Sequence, residues 1–418
     1  MATLRPVRGT HDLLPEDARR HHAIIETAAA VAARYGFQPF DVPIFEFTHV
    51  FDRTLGESSD VVAKEMYSFT DRGGESITLR PELTAGIARA YVSNGLRQAG
   101  LLKVFASGPA FRYERPQKGR QRQFHQIDAE IIGAAEPAAD VEIIALAADT
   151  LAALGVLSET VLQINTLGDT DSRQAYRQVL VAYLQDHRTE LSADSQDRLT
   201  RNPLRVLDSK DAADRRIVEQ APVFSDSLNE TSRDFFATVL DGLDTLGIAY
   251  RRNERLVRGL DYYCHTAFEF VTDRIGAQGT VLGGGRYDGL IELLGGPATP
   301  GIGWAAGIER LALMAVTGKT VQRPVAIVPV GTAAIAPAQR LAHELRQSGV
   351  PVDMAYGGNM SRRMKHANRV NARLAILLGD DELAAGAATV RDLDGGGQTD
   401  VAIADLVEEI GRRMATSP

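Results

Sequence analysis

Residues 111–126 read FRYERPQKGRQRQFHQ, and no other stretch constrains the fold as tightly. Pro116 and Gly119 mark a turn. Strand-like patterns precede it at 103–107 and 110–114. After it, Phe124, Gln126, Asp128 and Glu130 alternate with His125, Ile127, Ala129 and Ile131. A period of two puts the first set on one face of a strand and the second on the other. Strands joined by so short a turn pair antiparallel. The chain must therefore hold an antiparallel sheet with one polar face. By itself this alternation favours a solvated face; a pocket wall is the other reading. Arg115, Lys118, Arg120 and Arg122 crowd the turn. Guanidinium forks match phosphate geometry, and a solvated hairpin tip accounts for the same cations equally well. Arg112, set among apolar strand residues, needs a partner.

The rest of the chain is α+β. A first helix starts at Pro15, with Glu16 and Asp17 suited to its positive end, and stops before Gly36. Residues 37–47 are rich in β-formers and predict a strand, at a sheet edge because of Pro43. Strands are expected at 77–80, 160–166 and 267–271 and near Val281, and helices at 84–93, 139–154 and 305–316. Residues 169–247 are polar and helix-prone and predict a helical insertion. Residues 316–324 (VTGKTVQRP) predict a linker. Beyond it, strands at 325–330, 350–354 and 374–378 alternate with helices at 338–348 and 361–371, which predicts a small α/β domain with a largely parallel sheet. Two domains follow, at 1–322 and 323–418.

Composition bounds the function. The net charge is −8 over 418 residues, which argues against a general nucleic-acid coat. Residues 323–418 hold equal numbers of basic and acidic side chains, so the first domain carries the whole excess. RNA contacts must come from local patches. A single cysteine, Cys264, excludes an internal disulfide and a thiolate metal cluster, and no metal ligand is assigned. No signal peptide or apolar span is apparent, and the cytoplasm is the expected compartment. There is no G-x-x-x-x-G-K-[ST] loop, no strand-borne G-x-G-x-x-G and no G-x-S-x-G elbow.

Three further clusters stand out. Residues 256–263 (LVRGLDYY) combine Arg258 and Asp261 with Tyr262 and Tyr263. Residues 281–290 (VLGGGRYDGL) place three glycines together, allowing unusual dihedrals, close backbone approach or a tight hairpin turn. Residues 301–311 (GIGWAAGIERL) let a strand pack closely on a helix bearing Glu309 and Arg310. Taken singly, Arg310 reads as a surface ion-pair residue.

Together and in order, these segments resemble the class II aminoacyl-tRNA synthetases, specifically the histidyl-tRNA synthetase family, over essentially the whole chain. Residues 35–46 (YGFQPFDVPIFE) look like class motif 1, the hairpin from Phe111 like motif 2, and residues 303–311 like motif 3. RGLDYY at 258–263 and GGGRYDG at 283–289 look like the two segments peculiar to the histidine enzymes.

The resemblance implies an antiparallel-sheet catalytic domain with a helical insertion, then an α/β anticodon-binding domain, in a homodimer. It implies that ATP, with Mg²⁺, activates L-histidine, which then passes to the 3′ end of tRNA(His). Arg112 and Arg258 would serve the α-phosphate as the catalytic pair, Arg310 the γ-phosphate, and Glu114 would also bind ATP. Histidine would meet Glu82, Thr84, Gln126, Glu130, Arg258, Tyr262 and Tyr263. Arg115, Gln117, Lys118 and Arg120 would face the acceptor end of the tRNA. Arg362, Arg363, Lys365 and Arg369, a run of cations without an acid, form a phosphate-binding footprint in the second domain. A histidine-binding regulatory paralogue is the main competing reading. It lacks the second domain and tends to lose the ATP-binding arginines, all of which stand here. A class II synthetase for another amino acid should lack RGLDYY.

Overall fold

The computed structural model describes residues 3–415 apart from 57–60, 118, 210, 258–261, 277–278 and 317–321. The chain splits into two compact units, Met1–Thr317 and Gly318–Pro418.

The first unit is built on an eight-stranded sheet. Its order is Gln38–Pro39, Leu102–Phe111, Gln123–Ile132, Gly301–Gly307, Thr280–Arg286, Cys264–Val271, Val161–Thr166 and Arg251–Arg252. The six central strands pair antiparallel, and the two short edge strands pair parallel. The expected alternation holds along Gln123–Ile132. Ile127, Ala129 and Ile131 are buried in one hydrophobic cluster with Trp304 and with apolar residues of the Pro15–Arg34 and Pro137–Ala153 helices. The opposite face, with Gln126, Asp128 and Glu130, is also buried, so the solvated-face reading fails.

Several expected elements have other bounds. Residues 103–107 and 110–114 are one strand, Leu102–Phe111. Pro109 does not end it, because Gly108 beside it leaves room for the Arg80 guanidinium. A Cβ on Gly108 would sit 2.2 Å from Arg80 Nη2, and Arg80 Nε donates to Pro109 O at 2.8 Å. Residues 37–47 form two separate short strands, Gln38–Pro39 and Phe45–Phe47. The second joins a three-stranded sheet with Ser76–Leu79 and Tyr67–Thr70. The expected helix at 305–316 is strand as far as Gly307 and helix only over Ile308–Ala312. Its first three residues are held by pairing with the Gln123–Ile132 strand.

The triple glycine is neither a turn nor a site of unusual dihedrals, for it lies inside Thr280–Arg286. Close approach is the reason for it: a Cβ on Gly284 would lie 2.1 Å from Gly303 O. Between Thr166 and Arg251, helices Thr170–Asp186, Ala193–Arg201, Ala212–Gln220 and Glu230–Thr245 follow one another. The helices starting after Asp169, Ser192, Asp211 and Asn229 each begin on a side-chain oxygen that accepts a backbone N–H, the usual N-cap arrangement.

The second unit is a five-stranded sheet in the order Val352–Met354, Val325–Pro329, Leu374–Leu378, Ala387–Asp392, Gln398–Ala402. The first three strands are parallel, as expected, and the last two antiparallel. The helices are Ile335–Gln347, Met360–Arg369, Asp380–Ala384 and Leu406–Ala415.

Candidate active site

Phe124 and Gln126 of the polar strand face line a cavity of about 560 Å³, while Asp128 and Glu130 are buried beyond its lining. Glu82, Thr84, Arg112, Glu114, Gln126, Tyr262, Tyr263 and Arg310, drawn from distant parts of the sequence, all line it.

Glu130, 1% exposed, does not itself line the cavity but is tied to Thr84, which does. The Thr84 hydroxyl donates to its Oε1 at 2.6 Å and the Tyr287 hydroxyl to its Oε2 at 2.6 Å. Burial pushes its pKa up to about 8 against those two bonds. Its carboxylate fits because residue 303, directly opposite in the pairing, is glycine; a Cβ there would lie 1.6 Å from Oε2. Glu82 accepts from the backbone N–H groups of Thr84 and Ala85 at 2.7 and 2.8 Å, at the start of the Thr84–Ser93 helix. Burial still raises its pKa. The Tyr262 and Tyr263 rings lie 4.6 Å apart, and burial raises Tyr262 well above the ordinary tyrosine range.

Cations gather on the cavity wall. Arg112 lies just past its strand, donates Nε to Pro81 O at 2.8 Å, and stands 5.4 Å from the centre of the Phe124 ring. Arg310, expected as a surface residue when read singly, is drawn into the cavity and donates to Thr280 O. Burial lowers its pKa and repulsion from Arg120 and Arg112 lowers it further, while Glu114 and Glu269 pull the other way without reversing the shift. Arg120 is paired with Glu114 at 2.9 Å. It folds back into the cavity, whereas Arg115 and Gln117 are exposed at the tip. The Gln117 and Arg120 backbones bond each other at 2.9 and 3.1 Å, which is what turns Arg120 inward. Arg258 and Lys118 lie outside the described residues. Val257 and Tyr262, on either side of 258–261, both line the cavity.

Two parts of this site escaped the sequence reading. Tyr287 was visible in GGGRYDG, but nothing there linked its hydroxyl to Glu130. His125 Nδ1 and the His125 backbone N–H meet the Glu309 carboxylate at 2.9 and 3.0 Å. Burial pushes Glu309 up, but these hydrogen bonds outweigh it and hold it below the usual range. Glu309 is therefore the acceptor and His125 Nδ1 the donor.

In the second unit, Arg362, Lys365 and Arg369 are exposed on the Met360–Arg369 helix. Arg362 and Arg369 line a surface cavity of about 460 Å³ with Tyr356 and His366. Arg363 departs from the expected footprint. It is 9% exposed and donates to Gly358 O and Pro329 O, both at 2.9 Å, because its helix face packs on the sheet.

Comparison with known proteins matches both units to a synthetase with an anticodon-binding module. The histidyl-tRNA synthetase family model covers residues 9–311, and the anticodon binding domain model residues 324–413. The chain belongs to the histidyl-tRNA synthetase family. It is 59% identical over 413 residues to the histidine–tRNA ligase of Rhodospirillum rubrum, covering 99% of this chain and 100% of that one. It is 56% identical to the Gluconacetobacter diazotrophicus ligase, covering 96% and 97%. The structure of apo Staphylococcus aureus histidyl-tRNA synthetase superposes with a TM-score of 0.82 at 35% identity, covering 97% and 99%.

Proposed function

We propose that this chain is a histidine–tRNA ligase that makes histidyl-adenylate from L-histidine and ATP, then transfers the histidyl group to tRNA(His). One observation carries the reading: a single cavity gathers Arg112, Arg120 and Arg310 with Glu82, Thr84, Gln126, Tyr262 and Tyr263, and its Thr84 donates to the buried Glu130.

The carboxylate of histidine attacks the α-phosphorus and expels pyrophosphate. The terminal ribose hydroxyl of the tRNA then attacks the acyl carbon and expels AMP. The substrates supply both nucleophiles, so the protein's work is positioning and charge stabilisation. Arg112 and Arg258 serve the α-phosphate, Arg310 the γ-phosphate, and Glu114 the nucleotide. Preplaced cations of this kind are worth ~3–4 kcal/mol each, by analogy with oxyanion-hole donors. Glu114 and Glu269, carboxylates on the cavity wall, are hard oxygen donors of the kind Mg²⁺ takes. They would hold it beside the phosphates, where it would neutralise charge.

Glu82, Thr84 and Gln126 take the substrate ammonium. Glu130 accepts from one imidazole N–H, Tyr263 bonds the other nitrogen, and Tyr262 lines the pocket, with Arg258 nearby. Isosteres lacking either nitrogen leave buried polar groups unpaired and are rejected strongly. Arg115, Gln117 and Lys118 face the tRNA acceptor end. Arg120 reaches that end only if its pair with Glu114 opens. Arg362, Lys365 and Arg369 contact RNA phosphates.

The chain works in the cytoplasm as a homodimer. Phe45, Phe47 and Phe69 are about half exposed on the three-stranded sheet. Phe47 and Phe69 flank Ile77 in register there, which supports a second copy packing on this face. No described helix is long and apolar enough to cross a membrane.

Pyrophosphate exchange with each of the twenty amino acids tests the reading. Exchange with histidine alone, lost in Arg258→Ala, is expected. No exchange with any amino acid overturns it.

A further inference from the structure

We propose that His21, His125 and Glu309 form a binding site for one divalent transition-metal ion of the zinc class. The three side chains come from the Pro15–Arg34 helix, the Gln123–Ile132 strand and the Ile308–Ala312 helix. Each offers a ligand atom, and these atoms all lie within 4.8 Å of one another. Donor atoms around a tetrahedral zinc at ~2.0–2.1 Å sit about 3.4 Å apart, so closing the site needs side-chain movements of the order of an ångström.

Two imidazoles and a carboxylate are a donor set that suits zinc and leaves a position open. His21 is 6% exposed, and its Nδ1 has no hydrogen-bond partner among the described residues. A buried imidazole nitrogen without a partner is costly, and a metal ion would relieve it. The His21 and His125 rings meet edge to face with centroids 5.5 Å apart. His125 Nδ1 lies 2.9 Å from Glu309 Oε1, and moving the imidazole proton from Nδ1 to Nε2 frees the Nδ1 lone pair for a metal that Glu309 also holds. A cavity of about 220 Å³, lined by His11, Asp17, His21 and Glu309, gives an ion a way in and further donors.

The site is separate from the Mg²⁺ that accompanies ATP, since hard magnesium does not favour imidazole. It ties the first helix to the residue next to Arg310. The sequence hid it, because positions 21, 125 and 309 are far apart and no spacing motif joins them.

The full-length chain, freed of metal by chelator dialysis, is titrated with ZnCl₂ by calorimetry and with CoCl₂ by visible absorption. One saturable site per chain is expected, together with the ligand-field bands of a four- or five-coordinate cobalt. His21→Gln, checked for an unchanged circular dichroism spectrum, should weaken binding at least tenfold. An identical isotherm for His21→Gln, or no saturable site, overturns the proposal. If His21→Gln does not fold, X-ray absorption of the zinc-loaded native chain decides: two imidazoles on the metal support the site, and oxygen-only coordination sinks it.

Discussion

Arg286, at the end of a central strand, and Arg310, on the short helix that follows the neighbouring strand, are held in opposite ways. Arg286, fully buried, pairs through Nε with both oxygens of Asp140 at 3.2 and 3.1 Å, with Asp288 at 3.1 Å and with Ala134 O at 2.9 Å. Asp140 is itself fully buried. Arg310 is held by a neutral carbonyl, and both guanidiniums (Arg120, Arg112) and carboxylates (Glu114, Glu269) act on it. A guanidinium matched to a buried carboxylate is spent on the fold. One fixed by a carbonyl keeps its charge for a ligand. Both stand in glycine-rich segments that read alike in sequence.

The comparison breaks first on stability. Arg286→Ala leaves Asp140 buried without its counter-charge, a change that costs about 3–5 kcal/mol. A large fall in the thermal unfolding midpoint is expected, or loss of soluble protein. Arg310→Ala should do the reverse: the midpoint holds or rises, while kcat/KM for pyrophosphate exchange falls by ~10²–10³. If Arg310→Ala unfolds the chain as readily as Arg286→Ala does, the distinction collapses.

Gly303→Ala sharpens the same contrast at the buried Glu130. The added methyl meets Glu130 Oε2, and overpacking of this kind costs ~1–3 kcal/mol. Because Glu130 must move off its Thr84 and Tyr287 bonds, histidine KM should rise while ATP KM stays. Equal effects on both would place the damage in the sheet, not the pocket.

Glu130 also predicts a pH dependence. With its pKa raised to about 8, it carries a proton below that pH and cannot accept an imidazole N–H as a carboxylate. Affinity therefore grows as pH rises through 8. Ionisation goes from about a tenth to about nine-tenths between pH 7 and pH 9, so the histidine Kd should fall ~10-fold across that range. Glu130→Gln removes this step, and the difference between the two proteins in calorimetric titration isolates it from the ligand's own ionisations. Parallel curves would mean that Glu130 does not touch the ring.

The sheet was legible where one local rule decided it. The alternation at 123–132 and the Thr84–Ser93 helix needed only periodicity. The polar face read locally as solvated, because burial depends on what packs over it from residues 82–84, 262–263 and 287. Arg112 announced its need for a partner by being a cation among apolar residues. Arg310 did not, since its partners are distant in sequence. Ala305–Gly307 looked helical because alanines favour helix, and cross-strand pairing to Gln126, Ile127 and Asp128 overrode that preference. The inward turn of Arg120 depends on a backbone pairing with Gln117 that no spacing shows.

The smallest expected effect repeats the lesson in the second unit, on two adjacent arginines. Arg363 is tied to two backbone carbonyls and buried, whereas Arg362 is exposed beside Tyr356 and Arg369. An exposed cation on an RNA phosphate releases about one counterion. Arg362→Ala should therefore reduce the log–log salt slope of tRNA affinity by roughly one, with the unfolding midpoint unchanged. Arg363→Ala removes two carbonyl partners from a packed helix, so its midpoint should drop with the salt slope intact. Filter-binding titrations at several salt concentrations, run beside thermal melts, separate the two. If both variants change the slope alike, burial does not decide which of these arginines reads RNA.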